Sequence, residues 1–154
     1  MKMDPQAFLA RWHELGGLVA TLGMDFELNQ DGPSAVTMTI TPAMSGSPGI
    51  SHGGAVMALL DTGLGVAAIE YALPKARATS TLEIKVNLLK PAKVGARLRC
   101  TAKVVHAGRS HLVIQGEAVD QDGRVLAIAV GTFNLYPIDD LARRTAEAFG
   151  TERG

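Results

Sequence analysis

Ser51-His52-Gly53-Gly54-Ala55-Val56-Met57-Ala58-Leu59-Leu60-Asp61-Thr62-Gly63-Leu64-Gly65-Val66-Ala67-Ala68-Ile69-Glu70-Tyr71 is the stretch from which the architecture follows. From Gly53 to Ile69 its only ionisable side chain is Asp61, and apolar residues fall on every side of a helical wheel. Such a helix reads as buried all round. An ionised carboxylate inside it costs roughly several kcal/mol unless it is paired, hydrogen-bonded or wetted by a cavity. A reactive site is one of the few features that would offset that cost.

Upstream, Asp4 is placed to cap a helix that starts at Pro5. Phe8, Leu9, Trp12, Leu15 and Leu18 recur at helical spacing until Gly16-Gly17 end or loosen the helix, so residues 4–22 form an N-terminal helical segment. Val36, Met38 and Ile40 alternate with Thr37, Thr39 and Thr41, and Gln30-Asp31-Gly32-Pro33 joins this strand (35–41) to one over 24–29. The Gly, Ser and Pro content of 42–50 predicts a loop before the apolar helix. Downstream lie strands over 78–89, 97–106, 111–120 and 124–136, the last three joined by short turns at Ala107-Gly108-Arg109-Ser110 and Gln121-Asp122-Gly123. Residues 141–149 read as an amphipathic tail helix within a C-terminal segment over 139–149. Six strands around one core helix is an α+β pattern, with a curved antiparallel sheet wrapping a long buried central helix. The chain is too short to cover that helix on every side, so a second copy is expected to close the remaining face.

The 154 residues suit one domain over 1–154, with its core over 24–136, and 47% hydrophobic content supports a real core. Zero formal net charge, with no basic stripe, speaks against a nucleic-acid partner. The single cysteine, Cys100, excludes an internal disulfide framework and fits a reducing compartment. It sits in an alternating segment and reads as a small core residue. Met1-Lys2-Met3-Asp4-Pro5 lacks the apolar region of a signal peptide, and the longest apolar run carries an Asp and several glycines and is shorter than a typical membrane span. These readings predict a soluble cytoplasmic protein without a membrane partner.

On its own helical face Asp61 has Met57, Ala58, Leu64 and Gly65 three or four residues away, with Gly54 and Ala68 one turn further. Most are small, which predicts a trough beside the carboxylate rather than a packed ridge. Gly53 and Gly54 begin the helix, so their N–H groups have no partner within it and point along the positive end of its dipole. Such donors suit a carbonyl oxygen that becomes an oxyanion, with His52 placed to orient the loop. Eight residues separate Gly53 from Asp61, about 12 Å along the axis. One helix therefore cannot bring both to one bond, and two copies across a dimer can.

His52-Gly53-Gly54, Asp61 nine residues after the histidine, and Pro91 after a strand resemble the hotdog-fold thioesterases, specifically the phenylacetyl-CoA thioesterase (PaaI-like) group. Asp61-Thr62, Leu88-Leu89-Lys90-Pro91-Ala92, the Gly108-Arg109 turn and Ala127-Ile128-Ala129-Val130-Gly131-Thr132-Phe133 add to the resemblance, which runs from 34 to 135. It implies a hotdog fold, homodimers that pair into homotetramers, and hydrolysis of acyl-CoA with no cofactor beyond the CoA of the substrate and no metal. By the same resemblance Gly53 supplies the oxyanion N–H, His52 supports the loop, and Asp61 of the partner subunit is nucleophile or general base. Thr81 matches a hydroxyl that helps hold the attacking water. Members often carry Asn or Gln six residues before the histidine, where this chain has Gly46 between Ser45 and Ser47; a serine would then replace part of that contact. Substrate is expected against Gly54, Ser45, Ser47, Ala58, Leu64 and Gly65, with phosphates met by Lys90, Lys93, Arg77, Arg109 or Ser110. Glu83 is read as sharing a strand face with Thr81, in a structural role. His106 and His111 flank a turn without metal spacing. A hotdog dehydratase or hydratase would place a histidine within the helix, which holds none; a non-catalytic acyl-CoA binder is the other alternative. Phenylacetyl and medium-chain acyl groups fit the trough equally.

Overall fold

The computed structural model describes residues 4–14, 17–29 and 31–139. Helices α1 (Pro5–Glu14) and α2 (Gly17–Thr21) precede strands β1 (Met24–Glu27) and β2 (Ala35–Thr39). A small hairpin of β3 (Ser45–Ser47) and β4 (Ile50–Ser51) leads into α3 (Gly53–Ala72). Then follow β5 (Arg77–Leu88), β6 (Arg97–Ala107), β7 (His111–Asp120) and β8 (Val125–Pro137). The expected tail helix over 141–149 lies outside the described residues.

Six strands form one antiparallel sheet in the order β1-β2-β6-β7-β8-β5. The period-two pattern decides which face is inside. On β6, Leu98, Cys100 and Ala102 are buried while Arg97, Arg99 and Lys103 are exposed; on β7, Leu112, Ile114, Gly116 and Ala118 are buried. The β7–β8 hairpin turns on Gly123 at φ +76°, a conformation that favours glycine. The Asp120 carboxylate holds this turn, with Oδ1 accepting from the N–H groups of Asp122 and Arg124 at 3.0 and 2.9 Å and Oδ2 from Arg124 Nε at 2.9 Å.

α3 lies along the inner face of this sheet, which makes the hotdog arrangement. Leu59, Leu60 and Leu64 are fully buried, and each contributes about 1.5–3 kcal/mol through removal from water. The helix comes this close because glycines face it. A Cβ at Gly116 or Gly131 would lie 2.6 or 3.0 Å from the Leu64 methyl groups, and a Cβ at Gly63 would overlap Cys100 Sγ. The segment Gly53–Lys75 is long and apolar enough to cross a membrane by length and composition, and most of it is buried in the fold instead. α1 begins as expected, with Asp4 Oδ1 accepting from Gln6 N–H at 3.1 Å. It packs on α3 through Leu9 and on β1 through an aromatic stack, Phe8–Trp12 and Trp12–Phe26, with centroids 6.1 Å apart in both pairs.

Two expectations need correction. The stretch 42–50 is no plain loop: a single 3-10 turn (Pro42–Met44) and the hairpin strands order it. The hairpin forms because the chain entering α3 is held on both sides, by His52 N–H to Met44 O (2.7 Å) and Ser51 N–H to Ala92 O (2.9 Å). Secondly, α3 is not buried all round. Met57 is 43% exposed and Asp61 is exposed with it, while Gly54, Ala58 and Gly65 are half-buried. One sheet covers one side of a helix, and nothing among the described residues covers this face.

Candidate active site

The helix N-terminus and the carboxylate occupy different environments. At the N-terminus, His52 is the cap: its Nδ1 accepts the Gly54 N–H at 2.9 Å, which puts the ring proton on Nε2. The Gly54 N–H is thereby used, and the Gly53 N–H has no acceptor among the described residues. Gly53 lines a cavity of about 280 Å³ together with Ser51, Val56, Leu88, Lys90 and Pro91. Leu88 Cδ1 would lie 2.7 Å from a Cβ at Gly53, so glycine lets Leu88 pack close against the start of the helix. Gly46 backs the cap from the other side: a Cβ there would lie 2.9 Å from His52 Cα. This backbone has no room for the Asn or Gln that relatives often carry. Ser45 and Ser47 are exposed on the hairpin beside it.

Asp61 lies on the open face of α3, and Thr81 Oγ1 donates to its Oδ1 at 3.0 Å. Thr81 reaches the helix because β5 carries a bulge. Thr81 pairs with Phe133 while Glu83 pairs with Thr132, so Leu82 is an extra residue. The bulge corrects the expectation that Thr81 and Glu83 share a face: Thr81 follows the buried Phe133 toward the helix and Glu83 goes to the other side. No period-two reading could show this, because the inserted residue resets the alternation. Leu82 is 56% exposed. It adjoins the carboxylate's partner, a position that sequence reasoning missed.

Leu64 is not at the surface of the trough; it is fully buried against the sheet, as is Ala68 in the core. Three residues from Asp61 on the wheel can mean either side of the boundary between open and covered faces, and packing decided it. Ala58 and Gly65 do border the open face, and nothing lies within 4 Å of a Cβ built at Gly65. Lys90 lines the cavity at Gly53, whereas Arg109 and Ser110 are exposed in the β6–β7 turn. Ser110 O accepts from Leu135 N–H, and Leu135 pairs with Thr79, so that turn sits at the other end of β5 from Leu88. Arg77 Nη2 donates to Leu135 O at 2.7 Å and holds the strand end. Ser110 Oγ and His111 Nδ1 are 2.9 Å apart, and no cluster of metal-ligating side chains occurs among the described residues. Burial pushes the Cys100 thiol up to about 12, with the Glu117 carboxylate adding to the rise and Arg99 opposing it, so this thiol is no nucleophile.

A model of the thioesterase superfamily matches residues 48–127, which include the cap, the helix with its carboxylate, β5 and the Lys90-Pro91 segment. The chain belongs to the thioesterase superfamily. It is 29% identical over 119 residues to the acyl-coenzyme A thioesterase PaaI of Escherichia coli, covering 77% of this chain and 82% of that protein. The structure of that protein superposes with a TM-score of 0.75 at 25% identity, covering 88% of this chain and 96% of that one. A thioesterase family protein from Silicibacter pomeroyi superposes with a TM-score of 0.77 at 28% identity over 87% of this chain and 99% of its own. A hypothetical thioesterase from Streptococcus pneumoniae, solved with coenzyme A, gives 0.65 at 26% identity over 74% of this chain and 86% of its own. In this thioesterase, then, one helix carries at its start an N–H with no acceptor among the described residues and, two turns on, an exposed threonine-held carboxylate, too far apart to meet.

Proposed function

We propose that this protein hydrolyses acyl-CoA thioesters at a site completed by a second copy of the chain. The observation that carries the reading is the Thr81–Asp61 hydrogen bond on the uncovered face of α3. It holds a carboxylate beside β5, a twelve-residue strand at the edge of the sheet that exposes Leu82 and Leu88, with Leu89 exposed just after it. A long bare edge flanked by apolar side chains is a template for strand pairing. The opposite edge, β1, has four residues and is covered by α1 and α2. Antiparallel pairing of β5 with its symmetry mate would put the Leu88 end of one chain beside the Thr79–Thr81 end of the other. The Gly53 N–H would then face Asp61 of the partner subunit.

In that arrangement the thioester carbonyl oxygen accepts from the Gly53 N–H, where the helix dipole stabilises developing negative charge. Asp61 of the partner subunit, with Oδ1 held by its own Thr81, accepts a water proton on Oδ2. The water oxygen bonds to the carbonyl carbon, the C–S bond breaks, and the CoA sulfur takes the proton back from Oδ2, so that CoA leaves as the thiol together with a carboxylic acid and Asp61 is again a carboxylate. Direct attack by the carboxylate through an anhydride uses the same geometry. The acyl group would lie against Met57, Ala58, Leu82 and Gly65, a surface apolar enough for phenylacetyl or medium-chain groups. The chemistry needs neither metal nor redox cofactor. Pairing of dimers into tetramers, and a cytoplasmic location, complete the proposal.

The test is a hydrolysis panel on the parent and Asp61→Asn, followed as free thiol, with solution mass measured on both. Asp61 is exposed, so the variant should fold and associate normally while turnover falls at least about a hundredfold. Undiminished hydrolysis by Asp61→Asn, or a fully active monomer, would refute the proposal.

A further inference from the structure

The uncovered face of α3 has a closed end. Asp61 is exposed and Gly65 half-buried, but Val66, Ala67, Ala68 and Ile69 are all buried, so the face closes just past Gly65. α3 and β5 run in opposite directions, because Gly53 meets Leu88 and Asp61 meets Thr81. Four residues along α3 span about 6 Å and two along β5 about 7 Å, so one step beyond the Asp61–Thr81 pair brings Gly65 abreast of Thr79. A Cβ built at Gly65 meets nothing within 4 Å, which leaves space there. Thr79 Oγ1 and Arg77 Nε are both buried without a hydrogen-bond partner among the described residues. We propose that the acyl chain runs from Asp61 toward Gly65 and that these two groups receive a carboxylate at its far end. The substrates would then be short acyl-CoA esters with a terminal carboxyl group, a substrate class that rests on the acyl-CoA reading above.

Register puts the two orphaned atoms at one place. Thr79 pairs with Leu135 and Thr81 with Phe133, both buried, so the two threonines face α3 alike. Arg77 Nη2 donates to the carbonyl of that same Leu135 at 2.7 Å, which holds the guanidinium beside Thr79 and leaves Nε unused. Buried polar groups are nearly always paired, and two unmet donors side by side call for one acceptor. Arg77 carries a fixed positive charge and forms no ion pair among the described residues, so a carboxylate complements it better than a neutral oxygen does. Both atoms belong to half-buried residues, and a change of rotamer turns either toward the open side. Exposure falls along β5 in the same direction, from Thr81 through Thr79 to Arg77, so the charged end of the chain would be the sheltered one.

The experiment follows free thiol from adipyl-CoA and hexanoyl-CoA, whose acyl chains match in length and differ only in the terminal carboxylate. The proteins are the parent, Arg77→Gln, Arg77→Lys, Thr79→Val and Gly65→Leu, with solution mass measured for each. The parent should cleave adipyl-CoA with kcat/KM at least about tenfold above hexanoyl-CoA. Arg77→Gln and Thr79→Val should each raise KM for adipyl-CoA about tenfold and move hexanoyl-CoA far less. Arg77→Lys, which keeps the charge and loses the planar fork, should fall between Arg77→Gln and the parent. Gly65→Leu should fill the closed end and slow both esters at unchanged mass. Equal or better cleavage of hexanoyl-CoA by the parent would overturn the proposal. So would an equal loss on both esters in Arg77→Gln, or the parent's preference kept in Thr79→Val, since either result would make these groups supports of the strand end alone. Full activity of Gly65→Leu would send the acyl chain elsewhere and overturn it too. A parent that cleaves neither ester would count against the proposed function alone. Calorimetry of the two intact esters on the parent and Arg77→Gln would then decide the carboxylate site, with equal affinity of the parent for both esters refuting it.

Discussion

Replacing Gly63 with alanine would drive a methyl group into the Cys100 side chain. The added Cβ would lie 3.0 Å from Cys100 Cβ and overlap Sγ. Cys100 cannot retreat with its strand, because it is paired between Val36 on β2 and Ala118 on β7 in the middle of the sheet. Either its rotamer changes or α3 lifts. Overpacking of this kind costs about 1–3 kcal/mol, and the better helix propensity of alanine returns about 1 kcal/mol. With an overlap this deep the net loss should be about 2 kcal/mol, which lowers Tm by roughly 4–8 °C in a chain of this size. The sulfur itself is the obstacle, so Cys100→Ala should rescue Gly63→Ala, with a coupling energy of at least about 1 kcal/mol. Urea unfolding of the four proteins of the cycle, all at one fixed concentration because the proposed site calls for a second copy of the chain, gives the energies from midpoints at constant slope. Asp61 lies two residues away on the same helix, so kcat should fall in Gly63→Ala and recover in the double variant. If Gly63→Ala is as stable as the parent, or if the two substitutions simply add, the helix does not approach the sheet as closely as argued.

Thr81→Val keeps the shape but removes the hydroxyl that holds Asp61, and kcat should drop about tenfold, equivalent to one hydrogen bond of about 1.4 kcal/mol; Thr81→Ser should restore most of it, and full activity in the valine variant would deny the positioning role. Cys100 should resist iodoacetamide in the native protein at pH 8 and react only on unfolding, since burial holds its thiol at about 12; rapid native labelling would contradict that. The Asp120 carboxyl is held below its ordinary value of 3.8: burial alone would raise it, but the hydrogen bonds from Arg124 and Asp122 and the Arg124 charge together outweigh burial. A depressed folded value means that its stabilisation is present above the ordinary value and is lost as pH falls through the folded one. Asp120→Asn should therefore lower Tm at neutral pH and converge on the parent in acid, and a constant Tm difference across that range would refute the assignment.

Much of this protein is legible locally. The apolar run after Gly53-Gly54, interrupted only by Asp61 and Thr62 as far as Ile69, fixes α3, and the alternations around Val36, Cys100 and Leu112 fix three strands, because helix and strand periods are properties of neighbouring residues. His52, Gly53 and Asp61 could be singled out as a candidate site for the same reason: a charge among apolar neighbours and glycines before a helix are visible without any contact. Tertiary structure decided the rest. Which residues of α3 face water depends on how much of the helix one sheet can cover, so Asp61 proved exposed and Leu64 buried although they are three residues apart. The bulge at Leu82 depends on what β8 presents opposite β5, and it alone turns Thr81 toward Asp61 and Glu83 away. Gly46 looked like a missing contact until folding placed His52 against it. Each of these is set by residues far apart in the chain, whose approach no local pattern records.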